Sequence, residues 1–292
     1  NIFNFRCLIK KLIIYKLMKV FIQTNKQQYL ASKVSAYSFK RFGLDVELMN
    51  FDDNTHLKNF INKKYFRNKK IKVFKDDLQS FTLLRFLAPK LNNFNDYILV
   101  IDPDIFALKD PKILKNEIDN LHNVYCTFYN DSPRSEMMLI DAKKITWDFN
   151  YLIIQLFNHN LDYKNLMNLS FDQNLKIKKI NNKFNSHDLV NEETILLHTT
   201  NRLTQPWKEG LKIDFERHNF SYSLYLKNLI KRYLNKNYDT SLLAENYQQH
   251  PDTEVINTVK NLFLEAKKEK FISEEEINLA IKNKFISKKI LI

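Results

Sequence analysis

Glycine is almost missing: the 292 residues contain only 2. That excludes a P-loop and a G-x-G-x-x-G dinucleotide fingerprint, since both need several glycines where backbone meets phosphate. Cysteine is equally scarce, and Cys7 and Cys126 lie far apart. Such a pair builds neither a disulfide framework nor a CxxC metal site, which suits a reducing cytoplasm. No run of about 18 apolar residues occurs, so no spanning helix is expected. Long blocks of one charge are lacking too. The net charge is +13, but the lysines come as scattered pairs, among them Lys63-Lys64, Lys69-Lys70, Lys178-Lys179 and Lys267-Lys268. That scatter argues against specific nucleic-acid recognition. It leaves a basic surface suited to phosphate-bearing substrates or to the anionic leaflet of a membrane, hence peripheral association at its inner face.

What is present is enough for a real core, with 44% hydrophobic and 13% aromatic residues. Residues 1–17, "NIFNFRCLIKKLIIYKL", are apolar and basic, and no small-residue cleavage site follows them. "MKVFIQTN" from Met18 reads as a start followed by a strand. Residues 1–17 are therefore expected to be a non-native or flexible extension, with a membrane-surface helix as the alternative. Lys19 to Thr24 then reads as a strand ending in a polar loop. Leu30, Val34 and Tyr37 share a helix face, Gly43 suits the helix end, and Asp45 to Met49 reads as a second strand. This β-α-β order implies a parallel sheet and an α/β fold. A polar, lysine-rich loop reaches to about residue 72. "SFTLLRFLAPKL" reads as a helix broken at Pro89, and strands are expected at 97–101, 124–128 and 137–140. Helices alone are expected after residue 215. One starts at Pro251-Asp252 with an apolar stripe through Val255, Ile256, Val259, Leu262, Phe263 and Ala266, and the next opens on the capping box Ser273/Glu276. The organisation expected is thus a domain over 18–215 and a helical appendage over 216–292.

The chemistry concentrates where the strand 97–101 runs into Asp102-Pro103-Asp104. Buried carboxylates need a cationic partner. Two of them, two positions apart at a bend, can converge on one metal ion. Open α/β sheets also bind ligands beyond the carboxyl ends of their strands. Arg85, just before this strand, suits a phosphate or a carboxylate. His198 directly follows an apolar run, and Thr199, Thr200, Asn201 and Arg202 after it form a loop rich in donors. Pro206-Trp207 offers a rigid aromatic wall or plain core. Oxygen ligands alone suit Mg2+ or Ca2+, whereas an added imidazole nitrogen shifts the preference toward Mn2+.

In the order of these parts the chain resembles the nucleotide-sugar glycosyltransferases of the GT-A fold, particularly the family 8-like group, over most of residues 18–215. The parts are a strand with a polar loop, an arginine before an apolar strand, the DxD, "SEMMLID" at 135–141, then histidine followed by Pro-Trp. The resemblance implies a Rossmann-like, mostly parallel sheet flanked by helices. It also implies transfer of a sugar, with retention, from a nucleotide-linked (UDP-type) donor to a glycan, lipid-linked or protein acceptor. Asp102, Asp104 and His198 would hold Mn2+ or Mg2+. Thr24, Asn25 and Arg85, with Asn201, Arg202 and Thr204, would meet the donor, and Asp172 and Gln173 match a pair near the reacting sugar. Two departures stand out: Asn201 and Thr204-Gln205 replace the family's usual glycine and lysine, and Arg134-Ser135-Glu136 replaces Asn-Ser-Gly. The competing readings are a haloacid-dehalogenase-like phosphatase, with Asp102 as nucleophile, and a non-catalytic nucleotide-sugar binding module. The phosphatase wants its DxD near the domain start, a hydroxyl residue soon after it and a later acidic pair, none of which is found.

Overall fold

A computed structural model describes residues 18–215, 222–234 and 243–292. The expectation for residues 1–17 therefore lies outside the described residues, as do parts of the helical region after residue 215. The chain divides into two compact units, one running through His198 and the other from Thr199 to Ile292.

The first unit is α/β. β1 (Lys19–Thr24), α1 (Tyr29–Lys40) and β2 (Val46–Asn50) form the expected β-α-β turn, with β1 and β2 parallel. α1 ends near Gly43, whose φ of 73° is the left-handed geometry glycine takes without strain. A short helix α2 (Thr55–Lys58) follows. Where the lysine-rich loop was expected, the chain forms a hairpin, β3 (Lys64–Arg67) and β4 (Lys70–Val73). Its turn residues Asn68 and Lys69 both have positive φ, 53° and 59°. Such two-residue turns usually advertise themselves as Asn-Gly, and the missing glycine hid this one.

The segment around Arg85 also differs from the expected helix broken at Pro89. Ser80–Phe86 is a 3-10 helix, and α3 (Ala88–Leu91) starts a new one with Pro89 in its first turn. Proline lacks only a donor that is unpaired in a first turn anyway, so it opens the helix rather than breaking one. β5 (Tyr97–Ile101) then enters the core, followed by β6 (Ile105–Ala107), β7 (Val124–Tyr129) and β8 (Ser132–Asp141). Two helices, α4 (Phe149–Phe157) and α5 (Tyr163–Met167), precede β9 (Ile177–Lys179), β10 (Ser186–His187) and β11 (Leu196–His198).

The main sheet has the order β2-β1-β5-β8-β7-β9. β2, β1 and β5 run parallel, β8 is antiparallel to both of its neighbours, and β9 is parallel to β7. β5 is buried from Ile98 to Ile101, as a strand covered on both faces must be. A smaller sheet, β10-β11-β6, lies alongside. Asp102-Pro103-Asp104 is therefore the corner where the chain passes from one sheet to the other. That corner positions the site.

In the second unit, Trp207 is fully buried and stacks on Phe263, with ring centroids 6.4 Å apart, so it is core. α6 (Tyr222–Tyr233), α7 (Thr253–Lys268) and α8 (Glu274–Lys282) follow. α7 buries Val255, Val259, Leu262, Phe263 and Ala266 along the expected stripe, and Ser273 and Glu276 make the expected capping box at α8. Lys208 is also fully buried, its Nζ 2.7 Å from Asp214. No helix among the described residues is long and apolar enough to cross a membrane.

Candidate metal and donor site

The backbone alone brings His198 to the aspartates. β11 is antiparallel to β6, and His198 lies opposite Ile105, the residue after Asp104. A separation of almost a hundred residues thus closes through one strand pairing. The Asp102 N–H donates to the Glu136 carbonyl at 3.0 Å, which fixes the start of the corner against β8. One ligand atom from each of Asp102, Asp104 and His198 lies within 4.8 Å of the other two.

Each side chain is held. Asp102 Oδ1 accepts from Arg85 Nη2 at 2.8 Å and from the Gln23 side-chain amide. Arg85 is 3% exposed, and its other donors are used as well: Nε meets the Thr82 carbonyl at 2.9 Å and Nη1 meets Ser135 Oγ at 2.7 Å. Arg85 thus locks a carboxylate. His198 Nε2 stands 3.3 Å from Asp104 Oδ1, and its Nδ1 stands 2.9 Å from Asn185 Oδ1.

The electrostatics follow from burial and crowding. Burial pushes the Asp102 carboxyl up, Arg85 opposes it and Asp104 adds to it, leaving it raised to about 6. Burial pulls the His198 imidazole down, but Asp104, Glu136 and Asp102 outweigh this and lift it to about 9. Two carboxylates and one imidazole, close enough to share one ion, form a donor set that fits Mn2+ or Mg2+.

The remaining candidates are placed differently. Thr24 and Asn25 are fully buried at the end of β1. Thr24 Oγ1 accepts from Ser32 at 2.6 Å, and the Asn25 amide donates to the Asp77 carbonyl and to Ser80 Oγ at 2.6 and 3.1 Å. These bonds brace the loop after β1. Asp172 takes the Trp147 indole N–H at 3.0 Å and the Asn174 N–H at 2.9 Å, while Gln173 is exposed. Asn201, Arg202 and Thr204 belong to the second unit. There Asn201 Oδ1 caps a short turn by accepting from Leu203 N, Thr204 is buried, and Arg202 lies over the Phe215 ring.

Four residues around the cluster were not proposed as site residues from the sequence: Gln23, Glu136, Asn185 and His187. Gln23 was legible in principle, because a fully buried polar residue within the apolar run "VFIQT" needs a partner. Asn185 and His187 lie in the polar stretch "KFNSHD", where nothing local marks them. Glu136 Oε1 is 3.0 Å from His187 Nε2, and its Oε2 is 3.0 Å from Arg134 Nε. Burial pushes Glu136 up, but His187, His198 and Arg134 hold it well below the usual carboxylate range.

No protein-family model and no curated sequence matches the chain. Solved structures do. The glycosyltransferase GlyE of Streptococcus pneumoniae TIGR4 is similar at 15% identity and a TM-score of 0.46, over 76% of this chain and 64% of that one. The galactosyltransferase LgtC, solved with donor and acceptor sugar analogs, is similar at 10% identity and a TM-score of 0.44, over 65% of this chain and 89% of that one. The bifunctional glycosyltransferase WbbM gives 11% identity and 0.44, over 66% and 47%. The chain thus spans somewhat less than two thirds of the length of GlyE.

Proposed function

We propose that the protein is a metal-dependent glycosyltransferase that takes a sugar from a nucleotide-linked donor. The observation that carries this reading is the convergence of Asp102, Asp104 and His198 at the corner beyond the carboxyl end of β5. A divalent cation, Mn2+ or Mg2+, would be held by these three side chains and would stabilise the charge of a departing diphosphate as a Lewis acid. The chain's own part is preorganisation. Arg85 and Gln23 fix the Asp102 carboxylate on one oxygen, and the β6–β11 pairing fixes His198 beside Asp104. Side chains held in this way reduce the reorganisation needed when charge develops. The acceptor would be a glycan, a lipid-linked intermediate or a protein.

Thermal-shift measurements with UDP-sugars, GDP-sugars and free nucleoside diphosphates, each with Mn2+ and with chelator, test the reading. A ligand of the native state raises the melting temperature, and here the rise should require metal. Equal shifts with and without Mn2+, or none with any nucleotide, would remove it. A phosphatase would instead trap phosphate covalently on Asp102 and would not need His198.

Metal binding itself should depend on pH in a defined direction. His198 titrates at about 9 in the ion-free chain, so at pH 7 its Nε2 carries a proton that a metal must displace. Below pH 9 the affinity for Mn2+ should therefore rise about tenfold per pH unit, and it should level off above pH 9. Below about pH 6 a second proton, on Asp102, should steepen the dependence. Calorimetry at pH 7 in buffers of different ionisation enthalpy should report release of about one proton per Mn2+. A pH-independent affinity between 6.5 and 8.5 would show that the metal displaces no proton from His198 over that range.

A further inference from the structure

The described residues contain two groups of metal-capable side chains, and both include His198: one with Asp102 and Asp104, the other with Glu136 and His187. The second group is already filled by the side chain of Asn185, which is 2% exposed. Its Nδ2 lies 3.0 Å from Thr127 Oγ1, 3.3 Å from Glu136 Oε1 and 3.1 Å from His187 Nε2. Its Oδ1 lies 2.9 Å from His198 Nδ1.

The Glu136 contact sets which way the amide points. An ionised carboxylate only accepts, so the end of Asn185 facing Glu136 must be the NH2. The other oxygen of Glu136 lies 3.0 Å from Arg134 Nε, an always-charged donor, so the carboxylate is held as one half of an ion pair. The opposite end of the amide is then the carbonyl oxygen, which also only accepts. His198 must meet it with an Nδ1–H, and that places the ligating lone pair on Nε2, on the side of Asp104.

We infer that Asn185 is a positioning residue that sets the tautomer and ring orientation of His198 for metal binding, with Glu136 and Thr127 setting Asn185 in turn. The inference rests on the metal-site reading above. Glu136, His187 and Arg134 are then the support of the site rather than a second ion site. The strand order explains how this support arises. β10 runs parallel to β11 with His187 opposite His198, so Asn185, just before β10, reaches the imidazole from the side away from the aspartates.

Two substitutions separate this role from simple packing. Asn185→Leu removes both ends of the amide, whereas Asn185→Asp keeps an acceptor for Nδ1–H but places a carboxylate next to Glu136. The readout is the affinity for Mn2+ alone, measured by calorimetry or by the electron-spin signal of free Mn2+. Loss of a residue that orients a metal-binding histidine typically costs ~10–100-fold in metal affinity. Asn185→Leu should lose that much, and Asn185→Asp should stay within a few-fold of wild type. Equal affinity in wild type and Asn185→Leu, or a larger loss in Asn185→Asp than in Asn185→Leu, would overturn the inference while leaving the metal site standing. If the wild type itself binds no Mn2+, the metal-site reading falls and this inference with it. A measurement on the wild type alone guards against misfolded variants. With imidazole 15N labelling and diamagnetic Zn2+ bound, His198 should be protonated on Nδ1 and metal-shifted on Nε2. The reverse pattern would overturn the assignment.

Discussion

Asp104→Asn should fold as well as wild type and lose most of its metal-dependent turnover. The fold survives because the substitution removes one of two crowded carboxylates from a corner whose backbone is held by strand pairing. Function does not survive, because an amide is a poor ligand for a hard cation. Removing one well-placed group that stabilises developing charge costs ~10²–10³ in rate. His198→Ala should show a loss of similar size despite its distance in sequence. The paired readout is sugar-nucleotide turnover together with Mn2+-dependent binding of a nucleoside diphosphate. A variant that keeps full metal-dependent binding would show that the three side chains do not act as one site.

Arg85→Met should be costly in a different way. Arg85 is buried, with three sets of hydrogen bonds, and one of these neutralises Asp102. Taking away one partner of such a pair leaves an uncompensated charge and typically costs about 3–5 kcal/mol. For the first unit this corresponds to a fall in melting temperature on the order of 10 °C. The Asp102 carboxyl should then titrate well above 6, because the largest influence holding it down is gone. Adding Asp102→Asn should recover part of the stability, since the orphaned charge is removed as well, and the double-mutant cycle measures that coupling. If Arg85→Met melts with wild type, or if the two losses simply add, the pair is not coupled as described.

The residues that proved easiest to read from the sequence were those whose neighbours along the chain carry the signal. β1, α1 and β2 came from periodicity, and Ser273/Glu276 came from a local capping pattern. Asp102 and Asp104 were visible because two carboxylates at the end of an apolar run demand a reason. His198 was visible in kind but not in place, since only the β6–β11 register brings it to the corner. Asn185 and Glu136 were opaque because their meaning is a contact across strands, and no spacing in the chain encodes that. The β3–β4 hairpin was missed for the opposite reason: a local signal exists, but in a chain with 2 glycines it is written in other residues.

That substitution of alphabets reaches the helix ends. Past α7, the Lys270 N–H bonds to the Lys267 carbonyl and the Phe271 N–H to the Ala266 carbonyl. Past α8, the Lys284 N–H bonds to the Ile281 carbonyl and the Phe285 N–H to the Ala280 carbonyl. Both are the closing motif that glycine normally serves, yet lysine stands there with φ of 57° and 60°. A side chain in this geometry costs roughly 1–2 kcal/mol. The unfolded chain, however, is also less free than one with glycine there, which returns part of the cost. Bends of this kind act as fixed corners rather than hinges. The same alphabet that blurs the turns in the sequence leaves them mechanically stiff.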